Sequence, residues 1–284
     1  MTELFSVLGR IGGFSARSNL AWRGFASIDY DLVSSLQRVP GLSDEDSLRD
    51  VERSSLTAAR EWGLGFGHGG WASDLQLLAD LQHYGTSTRL MDVTSNPMTA
   101  LWFACQQPAS AGLSRSGLLL AINTTDWPRY GRAQPSGRPS AIDNPIGWEL
   151  ERALGSGSPF VVESLSPNDR LRAQEGFFIA DRVPAVDEQA GPFKSLRIAY
   201  PRIDSHDLKS ALQNPDGSAS PTIRDRLPFV AVKVNQGLKR RALKILQNSY
   251  NRTHRVLFPD FTGFREYSAH ATPRERSSEV NETR

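Results

Sequence analysis

The side chains best suited to chemistry are gathered in one stretch, Gln82 to Asn96, which reads QHYGTSTRLMDVTSN. It carries a guanidinium at Arg89, hydroxyls at Thr88 and Thr94, an amide at Asn96, a carboxylate at Asp92 and two adjacent rings at His83 and Tyr84. Elsewhere, Arg23 and Gly24 occur in LAWRGF, and Gln174 and Glu175 occur in RAQEGFF. An arginine fork matches phosphate bidentately, hydroxyls and amides match ribose, and rings stack on a base or a nicotinamide. Together these residues form an anion-and-sugar binding set. Each also has a plainer reading: Arg23 as a surface residue at a strand end, His83 and Tyr84 as a helix-end pair packed on the core. A buried arginine left unpaired costs several kcal/mol, so Arg89 needs a carboxylate, a row of carbonyls or an anionic ligand. Asp92 is the nearest candidate, which reads the two as an ion pair shaping a pocket.

The elements that position these groups follow from periodicity and caps. Leu75, Leu78 and Leu81 recur at helical spacing after Ser73 and Asp74, predicting a helix over 74–84 that Gly85 stops. Asn96-Pro97 caps and opens a second helix with Met98, Leu101, Trp102 and Cys105 on one face. Between them Thr88 to Val93 reads as a short strand. Further strands are predicted at 20–25, 117–123, 159–163, 175–180, 195–200 and 229–234. A helix capped by Ser43 is expected to reach Trp62 on the surface, and others at 148–153, 205–213 and 236–247. The last of these is basic, with Lys239, Arg240, Arg241 and Lys244 read first as a solvated face and second as a nucleic-acid patch. Val256 to Ala269 is expected to pack Phe258, Phe261, Phe264 and Tyr267 on the body. Strands and helices do not alternate regularly, which argues α+β with an antiparallel or mixed sheet flanked by helices.

One domain over 1–271 is expected, with an irregular Pro, Gly and Ser-rich insertion at about 126–159 and a polar tail at 272–284. The 284 residues carry a net charge of +2, so no bulk attraction to nucleic acid or membrane follows. Of the 33 basic residues only five are lysines, a bias read first as codon usage and second as recognition of anions by arginine forks. A single cysteine, Cys105, excludes an internal disulfide and fits a reducing cytosol. With no signal-peptide pattern and no run of 18 apolar residues, a cytoplasmic protein without a membrane partner is expected.

Standard catalytic signatures are missing: there is no G-x-S-x-G, no G-x-x-x-x-G-K-[ST] and no H-E-x-x-H, and the histidines lack metal-ligand spacing, so no metal is expected. GLGFGHGG at 63–70 contains G-x-G-x-x-G but follows a helical pattern, which favours a mobile loop with Phe66 and His68 at its tip over a phosphate cradle.

Four blocks resemble one family. Trp22-Arg23-Gly24 resembles the F-R-G motif that names the FRG domain. The segment from Gln82-His83-Tyr84-Gly85 through Thr88-Arg89-Leu90-Met91-Asp92, Thr94, Asn96-Pro97, Ala100 and Phe103-Ala104 is similar to that family's QHYG-PTRLLDWT-NP-A-FA. Arg170 with Gln174-Glu175-Gly176-Phe177-Phe178 resembles its third block, and Leu257 to Gly263, LFPDFTG, its closing one. Trp22, Ser87, Met91 and Val93 depart from the pattern without removing a polar group. A remoter resemblance is to ADP-ribosyltransferases, in which an arginine on a first strand, an S-T-S strand before a helix and a glutamate on a third strand hold NAD. It implies a split ADP-ribosyltransferase-like sheet and NAD as substrate. By this resemblance Arg23 holds the pyrophosphate, Thr88 or Thr94 orients Arg23 and the ribose, and Tyr84 stacks on nicotinamide. Glu175 binds the ribose, with Gln174 beside it and Asp92 or Glu163 as other candidates for the carboxylate. The implied activity is mono-ADP-ribosyl transfer to a protein or nucleic-acid acceptor, or NAD hydrolysis, in a toxin or phage-defence effector with an antitoxin or immunity partner. The alternatives are a nucleic-acid-binding or nuclease module and a non-catalytic nucleotide sensor.

Overall fold

The fold comes from a computed structural model that describes residues 2–14, 17–42, 44–67, 70–131, 145–164, 167–189, 191–199 and 227–270, with isolated positions between 206 and 213. The chain begins with helix α1 (Thr2–Phe14), strand β1 (Leu20–Phe25) and helix α2 (Glu45–Glu61). Short strands β2 (Phe66–Gly67) and β3 (Gly70–Trp71), helix α3 (Asp74–His83), strand β4 (Met91–Thr94), helix α4 (Pro97–Ala104) and strand β5 (Gly117–Asn123) follow. Next come strand β6 (Arg129–Tyr130), helix α5 (Trp148–Leu154), strand β7 (Phe160–Val162), helix α6 (Asp169–Ala173) and strand β8 (Gly176–Ala180). The last described elements are strand β9 (Phe229–Val234) and helices α7 (Gln236–Tyr250), α8 (His254–Leu257) and α9 (Phe261–His270).

Seven strands form a mixed sheet in the order β6-β7-β8-β4-β1-β5-β9, and β2 pairs with β3 separately. Only β6 and β7 run parallel within the large sheet; every other neighbouring pair in it is antiparallel. This is an α+β fold. One junction differs from the rest. β1 is laddered to β5 along its full length, from Leu20 to Phe25, but meets β4 only at Trp22 and Thr94. Past that pair the two strands part, leaving Arg23 and Gly24 on one side and Asp92 and Val93 on the other.

Helix α4 lies against β1 because Gly24 has no side chain: a Cβ there would stand 1.8 Å from the Ala100 carbonyl oxygen. Its Leu101 and Trp102 join Leu4, Leu8 and Ile11 of α1 and Ala242 and Leu246 of α7 in one core cluster. Each large apolar side chain fully buried there contributes about 1.5–3 kcal/mol. Ala21, Phe25, Met91, Val93, Leu120 and Ile179 build a second cluster from alternate positions of the same strands. The third gathers α2, α3 and α5 over β7 and β8. There α3 and α5 cap each other: Leu75 N donates to Glu149 Oε2 (3.0 Å) and Glu149 N donates to Asp74 Oδ2 (3.1 Å). Reciprocal carboxylates of this kind satisfy N–H groups that a helix cannot bond internally.

Several expectations need correction. Asp44, not Ser43, caps α2, accepting from Ser47 N at 2.9 Å, and α2 is only partly a surface helix, since Leu48, Glu52, Leu56 and Ala59 are buried. Residues 195–199 form no strand. Ser195 N instead donates to the Leu32 carbonyl (3.2 Å) and Arg197 N to Asp181 Oδ2 (2.7 Å), which commits these backbone donors outside a strand ladder. Within the described flanks of the insertion the expected helix forms as α5, and an additional short strand, β6, was not expected. Residues 63–70 do not open a helix; the described part is the β2–β3 hairpin, and His68 lies outside the described residues. So do the tail at 272–284 and most of the helix expected at 205–213. Of the four C-terminal aromatics, Phe258 packs against Trp102 and Phe103, whereas Phe261 is 95% exposed and Phe264 is exposed as well. Among the described residues no helix is long and apolar enough to cross a membrane.

Candidate functional site

Where β1 and β4 part, a cavity of about 270 Å³ opens. It is lined by Trp22, Arg23 and Gly24 of β1, Asp92, Val93 and Thr94 of β4, Ala100 and Phe103 of α4, Arg170 of α6, and Gln174 and Phe258. Residues from four distant parts of the sequence meet there.

Arg23 reaches across the gap, and its Nη1 donates to the Asp92 backbone oxygen, a carbonyl that the missing β1–β4 ladder leaves available. The Asp92 carboxylate stands 3.7 Å from the same nitrogen and also accepts from Gln82 Nε2 at 3.3 Å. Burial pulls the Arg23 guanidinium below its ordinary value, Asp92 opposes that pull, and Arg38 adds to it. A cation held in this way favours an incoming anion. Arg170 supplies the second guanidinium. It makes a bidentate pair with Asp260, Nε to Oδ2 at 2.8 Å and Nη2 to Oδ1 at 3.1 Å, and lies 4.8 Å above the Phe258 ring. Asp260 also accepts from Gly263 N at 2.6 Å, so one carboxylate fixes both Arg170 and the start of α9. Those bonds hold the Asp260 carboxyl below the ordinary carboxylate range although burial pushes it upward.

Thr94 lines the cavity, and the chain continues from it through Ser95 and Asn96. Thr94 Oγ1 donates to the Gln174 carbonyl (2.6 Å), Ser95 N donates to the Glu175 carbonyl (3.0 Å), and Asn96 Oδ1 caps α4 by accepting from Met98 N (2.8 Å). The Asn96 amide then donates to Glu175 Oε1 (2.8 Å), which also accepts from Arg252 Nη2 (2.8 Å). Glu175 is not on β8 as expected but in the turn before it, with φ at +50°. That left-handed conformation is costly for a residue with a side chain and is held here by bonds at both its main chain and its carboxylate.

The expected site residues divide. Arg23, Gly24, Asp92, Thr94 and Gln174 line the cavity; Asn96 and Glu175, bonded to each other, closely follow lining residues in the chain but are not part of the lining. Gly24 serves the packing of α4, and the Gln174 amide is committed to the Leu257 carbonyl at 3.0 Å. Thr88 lies elsewhere, buried and bonded to Gln82 and Leu90 N. His83 is off the wall but near enough to Arg170, Asp260 and Asp92 to feel their charge; burial, then Arg170, lowers its pKa. Tyr84 is 84% exposed and does not line the cavity, where Phe103, Phe258 and Trp22 provide the rings.

The expected Arg89–Asp92 pair does not form. Arg89, only 2% exposed, pairs with Glu52 (Nη2 to Oε2, 2.6 Å; Nε to Oε2, 2.7 Å) and with Glu45 (Nη1 to Oε1, 3.0 Å) on α2. Burial opposes its charge, but Glu52 and Glu45 outweigh that and keep the guanidinium above its ordinary value. Asp92, by contrast, sits within β4 and faces Arg23. Periodicity within one short segment could not reveal acidic partners more than thirty residues upstream. Arg170, Phe258 and Arg252 went unassigned, although the first two lie in blocks that already carried the family resemblance.

Among the described residues no three His, Cys, Asp or Glu side chains are grouped to hold a metal ion. Residues 18–112, running from just before β1 to beyond α4, match the family model of the FRG domain. Comparison with curated proteins gives no match, and comparison with solved structures gives none.

Proposed function

We propose that this protein, which carries an FRG domain, cleaves NAD and transfers ADP-ribose to a macromolecular acceptor or to water. The observation that carries the reading is the convergence of four blocks on one cavity that offers two guanidiniums and a wall of rings, with a carboxylate, Glu175, held by Asn96 and Arg252 next to the lining residue Gln174. The parting of β1 from β4 is what a split sheet of the ADP-ribosyltransferase kind would need. The cavity is near the lower end of the size range of small-molecule sites, so it suits one end of a dinucleotide, with the rest lying over the mouth.

Arg23 faces the pyrophosphate in this reading, since a guanidinium matches phosphate oxygens, and Arg170, whose Nε and Nη2 are held by Asp260, adds positive charge on the cavity wall. Phe258, Phe103 and Trp22 take the aromatic role that the sequence assigned to Tyr84. Glu175, oriented by Asn96 and Arg252, stands where positive charge develops on the ribose as the C1′–N bond breaks and nicotinamide leaves with the bonding pair. Both of its hydrogen bonds end on Oε1, so Oε2 lies outside them. A cytoplasmic location and a toxin or phage-defence setting, with an antitoxin or immunity partner, belong to the same proposal.

NAD labelled in the nicotinamide ring, offered with protein and nucleic-acid pools, tests it. Release is expected, and Arg23→Ala should lower it by about a hundredfold or more, as for the removal of a transition-state charge contact. No release under any of these conditions would overturn the proposal. Stabilisation by NAD without release would assign the cavity to a non-catalytic sensor.

A further inference from the structure

From residue 227 to residue 259 the chain contains no aspartate or glutamate but carries Lys233, Lys239, Arg240, Arg241, Lys244, Arg252 and Arg255. Helix α7 sorts these cations. Lys239 is buried, contrary to its reading as part of a solvated face, and its Nζ donates to the carbonyls of Ala26 (2.6 Å) and Gln106 (2.9 Å). That anchors α7 rigidly to the ends of β1 and α4. At 3.6 residues per turn, Arg240, Arg241, Lys244, Gln247, Asn248 and Asn251 fall within an arc of about 120°. All six are exposed. The result is a stripe of cations and amides without a carboxylate.

The stripe leads to the cavity. Asn251 ends α7 in a left-handed conformation, φ 52°, and the next residue, Arg252, is the one that bonds Glu175. Two exposed rings lie one residue from groups that interact with the cavity's Arg170: Phe261 follows its partner Asp260, and Tyr84 follows His83. The apolar face of α7, with Ala242 and Leu246, is buried in the core and is not available to a membrane. Guanidiniums and ammoniums along a track suit phosphodiesters, amides suit base edges, and exposed rings suit unstacked bases.

We infer that this stripe docks single-stranded nucleic acid and delivers it to the cavity as the ADP-ribose acceptor. The transfer step rests on the function proposed above. A ring nitrogen or oxygen of the nucleic acid forms a bond to ribose C1′ as the C1′–N bond to nicotinamide breaks. Nicotinamide leaves neutral with the bonding pair, and the proton of the nucleophile passes to the Glu175 carboxylate.

The test begins without NAD. A labelled single strand of about 20 nucleotides, as DNA and as RNA, is titrated by anisotropy from about 50 to 300 mM salt, where each phosphate contact contributes about 0.7 to the logarithmic slope. The matching duplex, polyglutamate and phosphatidylserine vesicles are run beside it. The single strand is expected to bind tightest. A variant combining Arg240→Ala, Arg241→Ala and Lys244→Ala, checked by its melting temperature, should weaken binding by about tenfold or more and reduce the slope by about 2. A flat salt response, unchanged binding by the variant, or a preference for polyglutamate or vesicles would overturn the inference. With NAD labelled in the adenylate phosphate, label should then appear on the oligonucleotide. Nicotinamide release with all of the label on protein overturns the acceptor assignment. Salt-sensitive binding without any nicotinamide release overturns the enzymatic function and leaves the docking surface standing.

Discussion

Arg89 and Arg23 flank the same strand, β4, yet are held in opposite ways. Around Arg89 every charge is answered within hydrogen-bond distance: two carboxylates, Glu52 and Glu45, and the Asp181 carbonyl at 3.3 Å. Around Arg23 one carbonyl is bonded, and the facing carboxylate stands back at 3.7 Å and is largely exposed. The closed cluster ties α2 to the sheet with its guanidinium only 2% exposed, whereas the open one lies on a cavity with a second guanidinium, Arg170, on the wall. An arginine's residue type does not separate the two roles. The number and distance of its partners does.

The largest effect should come from breaking the closed cluster. Arg89→Ala leaves Glu52 buried and uncompensated, which costs about 3–5 kcal/mol, read by urea denaturation. Arg23→Ala, at a partly exposed site, should cost less than about 1 kcal/mol while removing the NAD cleavage proposed for the cavity. Equal losses of stability would erase the distinction between the clusters.

Gly24→Ala comes next. The added methyl has nowhere to go against Ala100, and overpacking of this kind costs about 1–3 kcal/mol, visible as a lower melting temperature. A neutral result would mean that α4 can withdraw from β1. In the turn before β8, Glu175→Gly should be more stable than Glu175→Ala by about 1 kcal/mol, because only glycine takes the left-handed conformation without strain. Both should lose turnover; an alanine variant as stable as the glycine one would remove the argument for stored strain.

A smaller, pH-dependent effect belongs to Asp260. Its carboxyl is held below its ordinary value in the folded protein, so its contribution is complete above the unfolded value, about 3.9, and is lost as pH falls through the lower folded one. The stability gap between wild type and Asp260→Asn should therefore narrow below about pH 4. The smallest expected signal is at Cys105. Burial pushes its thiol up to about 12 against the pull of Lys239, so the native protein should resist alkylation at neutral pH and react only when unfolded.

Much of this architecture was legible in the order of residues. Ser73 and Asn96 predicted the starts of α3 and α4, Gly85 the stop of α3, and the apolar runs predicted β5 and β9, because caps and periodicity act over a few residues. The FRG resemblance singled out Arg23, Asp92, Thr94, Asn96 and Glu175; the first three line one cavity, and the last two bond each other beside it. Tertiary structure decided the rest. It gave Arg89 to Glu52 rather than Asp92, moved Glu175 off its strand, left Tyr84 in solvent and put Phe258 and Arg170 on the cavity wall. It also buried one lysine of a basic helix while leaving its neighbours exposed. Charges and rings find partners by proximity in space across separations of 37 to 213 residues, and only the packing of the helices on a sheet that parts between β1 and β4 sets those distances.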